Sequence, residues 1–314
     1  MYKRQPFIGA FIWGIFDAGI LYYAIRQLPI QSKYQNFILL LSANEMMNAA
    51  SNLQSNGIMA ATIILSFVFL LRQKEVASNA MIVLGFFIKL YSITGLAFFF
   101  FSQHKKKFIF YFVIWGILIL SLPLLVINPD DLVQCYKDWS AALSLKSNFD
   151  ITVPMHQNMV DITLQGMVKR LFNLPNLVKW YFIIPALLVF AGQYWYRAYF
   201  SHPIYRLYIL CSVLLFIIVF NTGTESPTYI IGVPAICLWY VLQEKTKWNN
   251  LLFIVAIFFS SFSYSDLFTP WLRTHIMIPY ALKVVGCFIV WVTIAIQIYT
   301  KQFLKLSLDR LTIR

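Results

Sequence analysis

A lone lysine, Lys89, interrupts an apolar stretch that includes Phe86 and Leu90. An ammonium group carries a full charge and three hydrogen-bond donors, so it suits a phosphate group. A lysine near a lipid interface can also extend its ammonium to lipid headgroups without binding a substrate. The residue type alone leaves both interpretations open.

Other polar side chains could assist such a cation. Gln54 and Asn56 precede an apolar run, where the simpler interpretation is that they cap the helix that follows. The run His156-Gln157-Asn158 lies in a polar segment. It could hydrogen-bond a sugar or phosphate, or transfer a proton, or be merely solvated.

Acidic residues also occur next to or inside apolar runs. Glu225 lies between two such runs, where it could act as a general base or accept a hydrogen bond from a sugar hydroxyl. It could equally be an acid at a helix N-terminus, with Pro227 in the first turn. Asp17, Asn44 and Glu45 lie inside apolar runs, where function and helix-to-helix pairing are equally good explanations.

Several chemistries have no motif in this sequence. We find no nucleotide-binding glycine loop, zinc-protease motif or serine-hydrolase nucleophile motif. Asp130 and Asp131 are adjacent, which is more typical of a helix start than of a metal-binding acidic triplet. Neither a metal ion nor a cofactor is therefore predicted.

The composition predicts that membrane helices position these residues. Hydrophobic residues make up 60% of the chain and charged residues 12%, about half the charge of a typical soluble domain. Segments inside lipid must pair their own backbone groups, and continuously apolar runs favour helices over an alternating barrel. The net charge of +13 comes from basic clusters at the ends of apolar runs, so it indicates topology rather than a nucleic-acid partner.

The chain is predicted to be one transmembrane domain, 1–314, with a polar extracytoplasmic loop at 128–176. An all-α bundle of about 10–11 membrane segments follows from the apolar runs. The predicted spans are 7–25, 36–51, 57–71, 76–103, 108–127, 177–196, 205–220, 228–242, 251–264 and 277–299.

Charge predicts how one of these segments folds. Arg72 and Lys74 precede the run 76–103 and three lysines at 105–107 follow it, and both groups favour the cytoplasmic face. A helical hairpin with its turn near Lys89 satisfies both. The remaining polar segments then fall on the outer face, so Lys89, Gln54, His156 and Glu225 are predicted to share one end of the bundle.

Two short segments of the sequence resemble motifs of glycosyltransferase family 87. The segment 53–57 resembles the family's Gly-Gln-x-Asn step, with Leu53 in place of the glycine. The segment 88–92 resembles its Ile-Lys-x-Tyr-Pro step, with Ser92 in place of the proline.

Two later segments extend the resemblance over roughly 54–242. The run His156-Gln157-Asn158, with Lys169-Arg170 downstream, is similar to the family's Asn-Gln-Ser loop motif. The segment 225–229 is similar to its Ser-Pro step, although Ile230 stands where histidine often follows.

The resemblance implies a multi-pass enzyme of the GT-C fold in the plasma (inner) membrane. It implies inverting transfer of a sugar, mannose in particular, from a polyprenyl-phosphate donor to a lipid or glycan acceptor at the extracytoplasmic face. The residues that it implies for donor phosphate binding are Lys89, Gln54, Asn56 and Tyr91. Those implied for catalysis are Glu225 and His156, and those for sugar or acceptor contact are Gln157, Asn158 and Ser226.

The beginning of the chain departs from the GT-C pattern. Those enzymes usually carry a catalytic acid in the first extracytoplasmic loop, whose far end the segment from Met1 to Pro6 resembles. We therefore expect that the preceding helix and its acid are missing and that the chain is weakly active or inactive. The alternatives are an inactive truncated homologue and a lipid or solute transporter, although no inverted repeat of the transporter kind is evident.

Overall fold

The structure is a computed structural model that describes residues 5–152, 160–267 and 269–312. Within these ranges the chain is helical, and the extended pairing is confined to one antiparallel bridge between Ile30 and Leu311. The predicted all-α architecture is confirmed. The α-helices are α1 (Gln5–Arg26), α2 (Ser32–Ser51), α3 (Asn56–Leu71), α4 (Glu75–Ile88), α5 (Lys105–Ser121), α6 (Pro129–Thr152), α7 (Leu164–Phe172), α8 (Trp180–Gly192), α9 (Pro203–Phe220), α10 (Val233–Leu242), α11 (Lys247–Ile257), α12 (Pro270–Leu272) and α13 (Val284–Tyr299). The shorter 3₁₀ and π-helical segments are Leu90–Phe101, Leu122–Leu125, Arg197–Tyr199, Ser226–Ile231, Phe258–Phe262, Arg273–Met277 and Gln302–Lys305.

Two helices form the centre of the bundle and others form its apolar surface. Nearly every side chain of α3 and α9 is buried. Helices α1 and α5 instead expose large apolar side chains, such as Phe11 and Phe110. Such a surface requires lipid rather than water around it, so the protein is a membrane helix bundle. Among the residues that the structure describes, the helices long and apolar enough to cross a membrane, by length and composition, are Phe7–Arg26, Lys105–Leu125 and Pro203–Phe220.

The predicted hairpin is present, with its turn at Lys89. Helix α4 ends at Ile88, Lys89 is extended at φ −147° and ψ 139°, and a 3₁₀ helix begins at Leu90. Gly85 lies against Ser92, and the Cβ position of Gly95 lies 2.9 Å from Ile82 Cγ1, so the two helices run antiparallel. The hairpin therefore returns the chain to the end of the bundle where α4 begins.

The predicted span 277–299 is wrong as a continuous helix. Ala281 has φ +52°, a left-handed conformation that ends a helix, and α13 begins only at Val284. The carbonyl of Lys283 accepts a hydrogen bond from Ser260 Oγ at 3.3 Å. The sequence did not indicate this break because Ala281 and Leu282 fit an apolar helix as well as any other residue.

The polar region 128–176 is not simply a loop, because it contains α6 and α7. Asp130 and Asp131 occupy the first turn of α6, as predicted for acids at a helix start. Helix α7 begins where Thr163 Oγ1 accepts a hydrogen bond from the Gly166 N–H at 3.1 Å. It ends where Asn173 adopts a left-handed conformation.

The segment after α13 packs against the connection between α1 and α2. The N–H of Gln31 donates to the carbonyl of Arg310 at 3.0 Å, and the N–H of Thr312 donates to that of Pro29 at 3.1 Å. The guanidinium of Arg310 also donates to the carbonyl of Val241, near the end of α10, at 2.6 Å. This C-terminal segment thus joins the first connection of the bundle to α10, at the end opposite Lys89.

Candidate functional site

The Lys89 ammonium lies between two amide oxygens. Nζ donates to Gln54 Oε1 at 2.7 Å and to Asn56 Oδ1 at 2.8 Å, and the side chain is partly exposed. The extended backbone at the hairpin turn aims the lysine at the start of α3, where both amides lie. Gln54 and Asn56 thus hold the cation at one end of the bundle.

The capping role predicted for Gln54 and Asn56 is wrong. The residue before α3 is Ser55, whose side chain makes no capping hydrogen bond. The N–H of Ile58 instead donates to Asp17 Oδ1 at 2.6 Å, so α1 supplies the carboxylate at the N-terminus of α3. Because this cap comes from residues far away in sequence, the local pattern could not reveal it. It leaves the two amides available for Lys89.

Gly57 makes the close approach of Asp17 possible. A Cβ atom at this position would lie 2.8 Å from Asp17 Oδ1, a separation that real Cβ atoms do not show. The carboxylate of Asp17 is buried. Helix α1 is therefore joined to α3 directly behind Asn56.

Gln54 also connects the lysine to a carboxylate. Its Nε2 donates to Glu225 Oε2 at 3.2 Å, while its Oε1 accepts from Lys89. Glu225 precedes the 3₁₀ helix Ser226–Ile231, and its N–H donates to Thr228 Oγ1 at 3.2 Å. Glu225 therefore stands at a helix start, as one of the two interpretations predicts, and its carboxylate also contacts the amide that holds Lys89.

Tyr91 lies on the same side of the site. Its hydroxyl donates to the carbonyl of Gly223 at 3.2 Å, and its ring centre lies 6.0 Å from Lys89 Nζ. The hairpin turn therefore contacts the connection between α9 and the 3₁₀ helix Ser226–Ile231. The structure brings Lys89, Gln54 and Glu225 to one end of the bundle, whereas the three lysines at 105–107 begin α5 at the other end. For these three residues the predicted cluster is confirmed.

His156, Gln157 and Asn158 lie outside the described residues. The segment that follows them contacts the site. The N–H of Ile162 donates to the carbonyl of Thr224 at 2.9 Å, and the Tyr229 hydroxyl donates to the carbonyl of Ile162 at 2.8 Å. Arg170 donates to the carbonyl of Val160 at 2.9 Å, which joins the basic pair of α7 to the same segment. The polar region 128–176 thus returns beside Glu225.

Sequence reasoning missed a second lysine, Lys283. Its side chain is fully buried, and Nζ donates to Glu45 Oε2 at 2.8 Å and to Ser226 Oγ at 2.9 Å. The pairing interpretation of Glu45 is confirmed, and Asn44 likewise donates to the carbonyl of Ser261 at 2.9 Å. The signal was the one that identified Lys89, a lysine inside an apolar run, but Lys283 was hidden within the predicted span 277–299.

The arrangement combines a cation, hydrogen-bonding amides and a carboxylate within one chain of hydrogen bonds. The ammonium of Lys89 can bind an anion, and the carboxylate of Glu225 can accept a proton. Among the described residues, no group of three or more histidine, cysteine, aspartate or glutamate side chains could hold a metal ion.

Comparison with known families identifies the chemistry. The model of glycosyltransferase family 87 matches residues 5–222, more than half of the 314 residues. The match includes Gln54, Asn56 and Lys89, whereas Glu225 lies three residues beyond it. None of the curated proteins compared with the chain matches it significantly. The chain therefore belongs to glycosyltransferase family 87, and the protein is a membrane glycosyltransferase.

Proposed function

We propose that the protein transfers mannose from a polyprenyl-phosphate donor to a lipid or glycan acceptor. The reaction takes place at the extracytoplasmic face of the plasma membrane, which the bundle crosses several times. The fold expected for such an enzyme is the GT-C fold.

The observation that carries this proposal is the chain of hydrogen bonds from Lys89 through Gln54 to Glu225. A phosphate leaving group and an attacking hydroxyl must lie on opposite sides of the same sugar carbon. A cation and a carboxylate joined by one amide side chain are suited to these two positions. Lys89, Gln54, Asn56 and Tyr91 are assigned to the donor phosphate.

Glu225 is assigned to the acceptor side. The acceptor oxygen attacks the anomeric carbon of the sugar and its proton passes to the Glu225 carboxylate. The bond from that carbon to the phosphate oxygen breaks, and polyprenyl phosphate leaves with the electron pair. Lys89 stabilises the added negative charge on the leaving phosphate, and the anomeric configuration inverts.

The remaining predicted residues complete the assignment. Ser226 follows Glu225 and, with Gln157 and Asn158, is assigned to contacts with the sugar or acceptor. His156 is assigned as a second proton-transfer residue. The support for the three residues at 156–158 is the packing of the segment after them, at Ile162, against Thr224.

An apolar groove lined in part by α4 suits a lipid-linked donor. Phe87, two residues before Lys89, lines it together with Leu122 and Tyr136, where α4, the end of α5 and α6 meet. The groove wall is almost entirely apolar. An isoprenoid chain bound there would bury apolar surface while its phosphate reached Lys89.

The test is sugar transfer by the full chain in proteoliposomes. Radiolabelled polyprenyl-phosphate mannose and the nucleotide sugar GDP-mannose are offered in parallel, with an alkyl mannoside as acceptor. We expect label on the mannoside from the lipid-linked donor only. Transfer from GDP-mannose alone would overturn the donor class. In a further reaction, faster transfer from polyprenyl-phosphate glucose than from polyprenyl-phosphate mannose would overturn the choice of mannose.

A further inference from the structure

Lys283 contacts Ser226, the residue that directly follows Glu225. Its ammonium donates to the Ser226 hydroxyl at 2.9 Å and to the Ser226 carbonyl at 3.3 Å. The ring centre of Tyr229, in the same 3₁₀ helix, lies 4.8 Å from Nζ. Lys283 therefore makes three contacts with a single short helix that begins directly after Glu225.

Glu45 is the counter-ion that allows this lysine to be buried. Its side chain is 1% exposed, and that of Lys283 is 0% exposed. Asn48 completes the cluster by donating to Glu45 Oε2 at 3.3 Å and to Ser226 Oγ at 3.0 Å. The cluster joins α2, the 3₁₀ helix Ser226–Ile231 and the segment before α13.

Stability alone does not explain a charge pair in this position. Removing two charges from water is costly, and well-packed neutral side chains often replace a buried pair with no loss of stability. A buried pair can instead fix one arrangement of the groups that it contacts. Here the contacted group is Ser226, whose backbone sets the direction of the neighbouring Glu225.

We propose that Lys283, with Glu45 as its counter-ion, is a positioning residue for sugar transfer. By holding the Ser226 hydroxyl and carbonyl, it directs the Glu225 carboxylate toward Gln54 and the acceptor hydroxyl. This inference rests on the proposed function. Lys283 lies outside residues 5–222, the part of the chain that the family model matches. Lys283 itself touches neither donor nor acceptor.

A positioning role predicts different effects on the donor KM and on kcat. The donor contacts of Lys89, Gln54 and Asn56 do not involve Lys283, so its loss leaves the KM for the donor unchanged. Misdirection of Glu225 lowers kcat instead. A hydrogen bond from a charged group corresponds to roughly a 10- to 100-fold effect, and we expect a fall in kcat of that order.

The double variant Lys283→Met/Glu45→Gln gives the sharpest test, because it leaves no unpaired buried charge. Either single change leaves one such charge, so both single variants are expected to lose thermal stability. The double variant is expected to recover the wild-type melting temperature but not the wild-type kcat. Recovery of both would overturn the positioning role and leave only a structural one.

Lys245, which is exposed, provides a control for the loss of a lysine. Like Lys283, it donates to a backbone carbonyl, that of Tyr240, at 2.6 Å and lies over a tyrosine ring, but at the opposite end of α10. Lys245→Met is expected to keep both kcat and KM. An equal fall in kcat for this variant would count against a specific role of Lys283.

A second measurement decides the inference even if the proposed reaction is wrong. Amide hydrogen exchange followed by mass spectrometry reports on residues 224–231 without any substrate. We expect faster exchange there in the double variant, at unchanged melting temperature. Unchanged exchange would overturn the inference, whereas absence of transfer by the wild-type protein would overturn only the proposed function.

Discussion

Lys89 is positioned before any anion arrives, because two amide oxygens already hold its ammonium. Gln54 Oε1 and Asn56 Oδ1 both belong to the start of α3, which is fixed in turn by Asp17 of α1. A preorganised cation needs little rearrangement when charge develops on a leaving group. Under the proposed function, this arrangement lets the lysine both bind the donor phosphate and stabilise it as it leaves.

We expect Lys89→Ala to raise the KM for the polyprenyl-phosphate donor by roughly 10- to 100-fold, because a charged hydrogen bond to the phosphate is lost. Lys89→Arg should raise it less, since the positive charge remains. Donor titrations of both variants in proteoliposomes would measure this, with Lys245→Ala as the lysine control. An unchanged KM in the Ala variant would leave only the interpretation that Lys89 reaches lipid headgroups.

Glu225→Gln separates the two roles of that residue. The carboxamide can still accept the hydrogen bond from Gln54, so the fold is expected to be retained. It cannot take up a proton, and a general base typically contributes about 10²–10⁴-fold to a rate. We expect kcat to fall by that factor with little change in donor KM, as measured by initial transfer rates. A wild-type kcat in this variant would show that Glu225 is not the general base and serves only at the start of the helix.

At the scale of the elements, the hairpin depends on close packing at Gly85. The Cβ position of this residue lies against Ser92 and Thr62, and these two hydroxyls lie 2.9 Å apart. The contact ties both arms of the hairpin to α3. The Lys89 turn is thus held by packing several residues away from the lysine.

We expect Gly85→Ala to destabilise the protein by about 1–3 kcal/mol, because the added methyl group overpacks this contact. Gly116→Ala is the matched control, since no other group lies within 4 Å of its Cβ position and alanine favours a helix. Thermal unfolding in detergent would compare the two. Equal melting temperatures would show that the hairpin arms can separate without cost.

These elements also show what the sequence could reveal. Basic residues at both ends of one apolar run required a turn, and the lone Lys89 indicated its position. The cap that Asp17 places on α3 and the pairing of Glu45 with Lys283 were not predictable, because each joins residues far apart in sequence. Hydropathy reports which residues avoid water, but it does not report which helices are neighbours.

At the scale of the whole molecule, the cysteines offer a test of sidedness. Cys135 of α6 is exposed, whereas Cys211, Cys237 and Cys287 are buried. If the region 128–176 lies outside the cell, a membrane-impermeant maleimide should label Cys135 in intact cells. We expect one label per chain, lost in Cys135→Ser and measured by intact mass.

The control for sidedness places a thiol at the other end of the bundle. Lys107→Cys, in a Cys135→Ser background, should react only after the cells are permeabilised. The opposite result would be labelling of Lys107→Cys in intact cells and no labelling of Cys135 in the parent chain. It would place the site on the cytoplasmic face. The proposed extracytoplasmic reaction would then be wrong.

The pairing between the first connection and the C-terminal segment bears on the order of assembly. Gln31 and its partner Asp309 are 278 residues apart. At about 5–20 residues per second, the ribosome needs roughly 15–55 s to synthesise the chain between them. Helices α1 and α2 must therefore enter the bilayer and find their neighbours while Gln31 still lacks this partner. The C-terminal segment can stabilise the assembled bundle, but it is synthesised too late to guide the insertion of the helices that it joins.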